Sequence, residues 1–443
     1  MRLSLLVLWF WTVHAAAVPP ELQQVRNALK VNDVPTAERL LVAIIRRQPG
    51  NAEAHHLVGA IRFGQKRYNE AESALKKAAE LNPRLAVAYL ALSDVYAMEA
   101  RAEQEHEILR RGIKLAGPHP ALLLRLGVLE AKKGDLKSAL ARLKTIPPKS
   151  APPGYWEALG RTHLSLGDYE EAEKAYSRVL QQDPEAVSTL RALSGIALKR
   201  GDEGKAWDYI AAARRAAPNS PEILNEFAQV SIVNGLTAEA VTALRLAVLM
   251  EREDPQYILA LGNALMANQD YREAVPVFEK FLQLKPGEAV GELLLGEALR
   301  GSGQNEEARV HLEKAVVLQP GSAQAYYHLG MIAFAGTEDR KAEELFHKTL
   351  ERQETHGPAC LALGRVHLRR RENQKAVEWL EKAARLVPED PNVPFQLSRA
   401  YAALGQRDKA QQALAVYTKL NAEREKRDQE RLQSRYTSKR QGE

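Results

Sequence analysis

The chain has 443 residues, of which 45% are hydrophobic and 27% charged but only 6% aromatic, a balance typical of a folded helical protein. Its 62 basic and 56 acidic residues leave a formal net charge of +6 without a strongly basic block, so nucleic acid is not expected as a partner. The single cysteine, Cys360, excludes an intramolecular disulfide and any multi-cysteine metal or iron–sulfur site, and nothing in the sequence predicts a cofactor.

The chain begins with a segment typical of a secretory signal. Arg2 supplies a positive charge, Leu3 to Val13 form an apolar stretch, and three alanines at 15–17 provide small residues for cleavage. That stretch is well short of the roughly 20 residues that span a membrane, although a membrane anchor or a buried first helix remain alternative interpretations. We therefore expect residues 1–17 to be a signal peptide, and the mature chain to be periplasmic or extracellular with no other membrane association.

From Val18 onward the sequence repeats with a period of 34 residues. A fixed period of this length indicates a stack of similar structural repeats rather than several different domains. Twelve repeats fill the chain, and only the step from the fourth to the fifth is one residue short. The repeats begin at Val18, Ala52, Ala86, Pro120, Pro153, Val187, Pro221, Pro255, Ala289, Ala323, Gly357 and Pro391.

Two positions within the repeat indicate a helical hairpin. The eighth residue is Gly, Ser or Ala in nearly every repeat, as in Gly59 and Ser93, and the twentieth is Ala in every repeat except one, which has Glu105. Small residues at these positions would let two helices approach closely. Turns such as Gly201-Asp202 separate the helices, and prolines near the end of the repeat stop the second helix.

The tetratricopeptide repeat is similar to these segments in both spacing and residue type. The resemblance is carried by Tyr155-Trp156, Gly167-Asp168-Tyr169, Ala172, Tyr176 and Pro184, and it extends over about nine tenths of the chain. It implies an all-α fold, a right-handed superhelical solenoid of antiparallel helix-turn-helix repeats. It also implies that the chain binds other proteins or peptides and catalyses no reaction.

The repeats are expected to form two arrays. Residues 18–148 hold four repeats, the fourth truncated, and residues 153–424 hold eight. Between them, residues 149–152 belong to a run with four prolines that excludes helix and is interpreted as a rigid elbow or hinge, or alternatively as a longer loop. Residues 425–443 are densely charged and are expected to cap the last repeat or to be disordered.

The motifs that could suggest an enzyme are better explained by the repeat. Ser73 and Lys76 have the Ser-x-x-Lys spacing of penicillin-interacting serine enzymes, but they lie inside the second helix of the second repeat. The histidines are scattered through separate repeats without the spacing of a metal site. The sequence therefore predicts no enzyme, no catalytic residue and no metal.

The resemblance also predicts where a partner would bind. In that family the first helix of each repeat lines the concave surface, with its second, fifth, ninth and twelfth residues facing inward. In repeats eight to twelve these positions carry aromatic, apolar and basic residues, which suit a segment with acidic and apolar side chains; alternatively, some of them pack between repeats. The predicted groove residues are Leu259, Asn263, Met266, Tyr327, Met331, Phe334, Arg365, Leu368, Phe395 and Arg399.

Two functional hypotheses from different classes follow, and neither is an enzyme. The first is a non-catalytic scaffold or adaptor that binds polypeptides, within a cell-envelope or secretion assembly. The alternative is a scaffold for exported or cell-wall polysaccharide and its synthetic enzymes, for which Tyr327 is the best candidate for stacking on a sugar. The repeat predicts a shape but leaves the partner, the pathway and the oligomeric state open.

Overall fold

The computed structural model describes residues 20–441, which form helices, turns and loops without any strand in that range. The predicted all-α fold is confirmed. The helices are α1 (Pro20–Lys30), α2 (Val34–Arg47), α3 (Ala52–Gly64), α4 (Tyr68–Leu81), α5 (Ala86–Met98), α6 (Ala102–Ala116), α7 (Pro120–Lys132), α8 (Leu136–Lys144), α9 (Tyr155–Leu166), α10 (Tyr169–Gln182), α11 (Val187–Lys199), α12 (Glu203–Ala216), α13 (Pro221–Val233), α14 (Thr237–Met250), α15 (Pro255–Ala267), α16 (Tyr271–Leu284), α17 (Ala289–Gly301), α18 (Asn305–Leu318), α19 (Ala323–Ala335), α20 (Asp339–Arg352), α21 (Gly357–Arg369), α22 (Asn373–Leu386), α23 (Asn392–Ala403) and α24 (Arg407–Gln441).

The helices pack as consecutive antiparallel hairpins, so the odd-numbered helices are the first helices of the repeats and the even-numbered ones are the second. The small residues of the repeat lie where the two helices of a hairpin meet. In the tenth repeat, a Cβ added at Gly330 would lie 2.6 Å from the Phe346 ring, and Ala342 is fully buried. Close helix contact therefore requires the small residues that the sequence repeats.

The chain folds into two compact units that meet in sequence at Ile196 and Ala197. The proline-rich run lies in the first unit, where a short 3-10 helix, Pro148–Ser150, is flanked by extended backbone at Pro147 and Ala151. Its role as a hinge, and with it the division into two arrays, stays a prediction. Within the described residues, no helix is both long and apolar enough to cross a membrane.

Glu105 shows how one repeat tolerates a carboxylate in place of the usual alanine. Its side chain is only 10% exposed and lies 3.4 Å from Nε of Arg125, which comes from the next repeat. Nη2 of Arg125 also donates a 2.6 Å hydrogen bond to Asp94. One guanidinium thus contacts two carboxylates, of which Glu105 is buried and Asp94 is partly exposed.

The first helices of successive repeats also contact one another. In the second unit, α13 contacts α15, α17 contacts α19, and α21 contacts both α19 and α23. We call the surface that these six helices form the first-helix face. It carries the residues predicted to line a groove, and the groove itself stays a prediction.

Two of the sequence predictions concern the ends of the chain. The expected signal peptide, residues 1–17, lies outside the described residues. At the other end, α24 continues as a helix through Gln441 and thus includes most of the charged segment 425–443, whose capping role stays a prediction.

Candidate functional site

The residues predicted to line a groove all belong to first helices of the second unit. Asn263, Phe395 and Arg399 are exposed, and the others are half-buried. Leu259, Asn263 and Met266 lie on α15; Tyr327, Met331 and Phe334 on α19; Arg365 and Leu368 on α21; and Phe395 and Arg399 on α23.

The three predicted residues of α19 contribute to packing as well as to the surface. Tyr327, Met331 and Phe334 pack against the apolar cluster that joins the tenth and eleventh repeats. The centroid of the Tyr327 ring lies 4.9 Å from that of His356 and 6.0 Å from that of Phe346. These side chains are therefore fixed in place and leave only part of their surface for a partner.

Two guanidinium groups of α21 lie over the ring of Phe334. The Cζ atom of Arg365 is 4.9 Å from the ring centroid, and that of Arg369 is 3.9 Å from it. Arg369 also donates a 2.9 Å hydrogen bond to the Phe334 carbonyl oxygen and forms an ion pair with Asp339. Arg369 is thus held by local partners, whereas Arg365 lies over the ring and forms no ion pair or hydrogen bond with another residue that the structure describes.

Phe395 lies at the end of the second unit. Its ring centroid is 5.3 Å from that of Tyr417 on α24, and Arg399, one turn further along α23, donates a 3.1 Å hydrogen bond to the neutral side chain of Gln396. The last repeat therefore presents an exposed aromatic ring and an exposed guanidinium on the same helix.

A second basic group lies on the other side of Tyr327. Burial raises the pKa of the Tyr327 hydroxyl, and the positive charges of Arg300 on α17 and Arg365 on α21 act against that rise. Both guanidinium groups are therefore within electrostatic range of the same hydroxyl. Glu297 and Asp390 act on it in the opposite sense, and burial in turn raises the pKa of Glu297.

Arg300 is anchored by an uncharged partner. Its Nε donates a 3.2 Å hydrogen bond to Nδ1 of His328, which is only 2% exposed. Burial, reinforced by the positive charge of Arg300, lowers the pKa of His328 to about 3. The imidazole is therefore neutral near pH 7, so it orients Arg300 without cancelling its charge.

Four arginines on the first helices of the first unit have anionic partners. Each of the four forms an ion pair with a carboxylate, and the pairs are Arg26 with Glu53 at 3.9 Å, Arg62 with Glu38, Arg125 with Asp94 at 2.6 Å, and Arg161 with Glu157 at 2.7 Å.

Three arginines of the first-helix face differ from this pattern. Among the residues that the structure describes, Arg300, Arg365 and Arg399 form no ion pair, and their contacts are to His328, Phe334 and Gln396, respectively. The second unit therefore presents three guanidinium groups whose charge is not balanced by a contacting carboxylate.

Models of the tetratricopeptide repeat family match most of the array. They match residues 22–86, 157–221, 225–289, 265–334 and 359–394, which together make up more than half of the chain. The chain belongs to the tetratricopeptide repeat family.

This tetratricopeptide repeat chain has two kinds of similar curated protein. It is 25% identical over 278 residues to cellulose synthase operon protein C of Pseudomonas fluorescens (strain SBW25), a match that covers 61% of the chain and 20% of that protein. It is 27% identical over 133 residues to protein O-mannosyl-transferase TMTC1 of Mus musculus, covering 29% of the chain and 14% of that protein. The chain thus spans a fifth or less of the length of these relatives.

Solved structures with similar helical arrays include yeast Tom70 and the APC/C hetero-tetramer Cut9–Hcn1. Tom70 is 14% identical, with a TM-score of 0.45 and coverage of 88% of this chain and 96% of that one. Cut9–Hcn1 is 13% identical, with a TM-score of 0.41 and coverage of 84% and 94%.

The tetratricopeptide hairpins place aromatic rings and guanidinium groups on the first-helix face. In the described part of the chain, no group of three or more His, Cys, Asp or Glu residues is arranged to hold a metal ion. Cys360 is fully buried, and burial raises the pKa of its thiol, so it serves as a packing residue. Chemically, aromatic rings and guanidinium groups arranged in this way can bind a partner.

The sequence prediction omitted two residues that the structure adds to this face. Arg300 stands at the twelfth position of its repeat, one of the four that are expected to face inward, so the position map was sufficient to find it. Its anchor, His328, could not be found in this way, because the hydrogen bond joins two repeats.

Proposed function

We propose that this protein is a non-catalytic scaffold that binds polypeptide segments on the first-helix face of its second unit. Its tetratricopeptide repeats support a role in protein–protein interaction. The observation that carries the proposal is the position of Arg300 and Arg365 beside Tyr327 and Phe334, with Arg399 on the next first helix; among the described residues none of the three arginines forms an ion pair with a carboxylate. Arginine and aromatic side chains are the groups that most often dominate the binding energy of protein interfaces.

The same proposal places the scaffold outside the cytoplasm, within an envelope or secretion assembly. Support comes from the signal-like composition of residues 1–17, with its single positive charge, short apolar stretch and alanines. Tagging the chain in its host and comparing cytoplasmic with exported fractions would test this part. A full-length protein found only in the cytoplasm would contradict it.

Photo-crosslinking tests the binding surface directly. A photoreactive residue is placed at Asn263 or at Phe395, which are exposed on the first-helix face, and the control is placed at Val317, which is 77% exposed on the second helix α18. We expect a discrete polypeptide to be captured from the first two positions and not from the control. Equal capture from all three positions, or none from Asn263 and Phe395, would reject the proposal.

A polysaccharide scaffold is the second candidate. The observation that favours it is the similarity to cellulose synthase operon protein C, whose name refers to polysaccharide synthesis. On this hypothesis the purified chain would sediment with insoluble glucan, and replacement of Tyr327 by alanine would weaken that association. Failure to sediment with the glucan would count against this candidate.

A further inference from the structure

We infer that the segment bound on the first-helix face is acidic, and that its carboxylates contact Arg300, Arg365 and Arg399. This inference rests on the proposed function and adds the chemistry of the partner. It identifies a polypeptide by its charge pattern, with carboxylates flanking an apolar or aromatic side chain.

Three arginines of the first-helix face differ from the four paired arginines of the first unit in their counter-charges. On the first helices of the first unit, Arg125 and Arg161 are matched by carboxylates of the same chain. Arg365 is half-buried against Phe334 without such a match among the described residues. A partly desolvated guanidinium gains most from a carboxylate, to which it can donate two parallel hydrogen bonds. A carboxylate of the partner would supply the missing counter-charge of Arg365.

Two carboxylates lie near these arginines. Glu297, three residues before Arg300 on α17, has its Oε2 atom 3.6 Å from Nε2 of His328; burial raises its pKa, and the positive charge of Arg300 acts against that rise. Asp390 accepts hydrogen bonds from the backbone and side-chain nitrogens of Asn392, both at 2.9 Å, and is thereby engaged at the start of α23. Among the described residues, neither carboxylate forms an ion pair with the three arginines, so each guanidinium keeps donors from which an incoming carboxylate can accept hydrogen bonds.

The spacing of the arginines predicts the spacing of the carboxylates that would bind them. Arg365 and Arg399 lie on α21 and α23, first helices of consecutive repeats that contact each other. Packed helices lie roughly 10 Å apart between axes, and an extended chain advances about 3.3 Å per residue. Carboxylates that reach these two arginines are therefore expected about three residues apart.

The aromatic residues between the arginines predict what separates the carboxylates. Tyr327 and Phe334 lie on α19, between α17, which carries Arg300, and α21, which carries Arg365. An apolar side chain of the partner would contact these rings while acidic neighbours reach the guanidinium groups. An acidic polypeptide with apolar residues satisfies both features, whereas a polyanion without apolar groups satisfies only the charges.

The experiment uses two short fluorescein-labelled peptides and the purified chain. One peptide has glutamate at every third position with leucine and phenylalanine between, and the other has glutamine in place of each glutamate. Fluorescence anisotropy is measured with the wild type, the double variant R365A/R399A, and the control R340A. Arg340 is an exposed arginine of the second helix α20, so the control removes a charge of the same type away from the first-helix face.

We expect the glutamate peptide to bind at least about tenfold more tightly than the glutamine peptide. The R365A/R399A variant should lose the preference for the glutamate peptide, and R340A should keep it. The R365K variant should keep only part of the preference, since lysine retains the charge but not the forked donors. Circular dichroism confirms that each variant is folded.

Other outcomes overturn the inference in distinguishable ways. Equal binding of both peptides, with capture still seen from Phe395, would leave the polypeptide scaffold standing and reject the acidic partner. Binding of neither peptide would reject the inference, and the crosslinking experiment would then decide the proposed function. Oligogalacturonate that bound in the peptides' place, with the same dependence on Arg365 and Arg399, would assign the site to an anionic polysaccharide instead.

Discussion

Arg300 donates a hydrogen bond of 3.2 Å from Nε to Nδ1 of His328, an imidazole that burial keeps neutral. The bond joins the ninth repeat to the tenth, and it fixes a basic side chain by an acceptor that carries no opposing charge. A carboxylate in the place of His328 would hold Arg300 equally well but would cancel the positive charge that the first-helix face presents.

The buried histidines predict a loss of stability in acid. The pKa of His328 is lowered to about 3 and that of His56 to about 4, both from 6.5, because burial disfavours the charged ring. Below pH 6.5 the unfolded chain binds protons that the folded chain does not, so unfolding becomes easier as the pH falls. Each histidine should lower the free energy of unfolding by about 1.4 kcal/mol per pH unit in that range, until the pH reaches its folded pKa.

The variant H328Q tests the contribution of one of these rings. Glutamine does not titrate and still offers an oxygen to Arg300, so its unfolding free energy should fall less steeply between pH 6.5 and pH 4 than that of the wild type. The measurement is urea denaturation at several pH values, with His55, which lies on the same helix as His56 but is partly exposed, changed to Gln as the control. Identical slopes for H328Q and the wild type would contradict the prediction.

Glycines in two first helices should respond oppositely to the same substitution. At Gly330 a new Cβ would lie 2.6 Å from the Phe346 ring, so G330A should destabilise the chain by about 1–3 kcal/mol. At Gly195, within α11, no atom lies within 4 Å of the added Cβ, so G195A should stabilise by up to about 1 kcal/mol through helix propensity. Thermal melting of the two variants distinguishes them, and a shared sign would show that close helix contact is not the cause.

The paired carboxylates of the third repeat should depend on Arg125. Removing the guanidinium in R125M leaves the buried Glu105 and the partly exposed Asp94 without a counter-charge, and burial already raises the pKa of Asp94. We expect a loss of about 2 kcal/mol in the free energy of unfolding. The double variant R125M/E105A should recover part of it, because it removes one carboxylate and restores the alanine of the other repeats. If R125M/E105A were no more stable than R125M, the side chains of Arg125 and Glu105 would not be coupled.

The ring of Phe334 should position Arg365 for binding. F334L removes the aromatic face over which the guanidinium lies, so the affinity for the glutamate peptide should fall about tenfold, whereas F334Y keeps the ring and should bind like the wild type. Anisotropy gives both affinities, and thermal melting shows whether stability changed alongside. Equal affinities for F334L and F334Y would rule out a role for the ring.

Much of the hairpin fold could be predicted from the sequence because its constraints are local and repeated. Gly330 and Ala342 are small for the same steric reason as their counterparts in other repeats, so their spacing alone indicates close helices. Glu105 was visible as an exception, but its neutralisation by Arg125 was not, since the partner lies in the following repeat.

The candidate site could be predicted only in part. Helical position was sufficient to put Phe334 and Arg365 on the same face, and the structure brings them to 4.9 Å. The position of an arginine in the repeat does not show whether it has a carboxylate partner. That partner can lie about one repeat away, as Asp339 does for Arg369. Burial of Tyr327 against His356 is a contact of the same kind.

The contacts between neighbouring first helices have a further consequence for how the chain acquires its structure. In the described part of each unit, helices pack on their neighbours or next-but-one neighbours in sequence, so contacting residues are separated by about one repeat. The entropy cost of closing each loop is therefore nearly the same at every step and does not grow with the length of the array. Folding can start at any stable hairpin and extend from there, which favours a rapid search despite the 443-residue length.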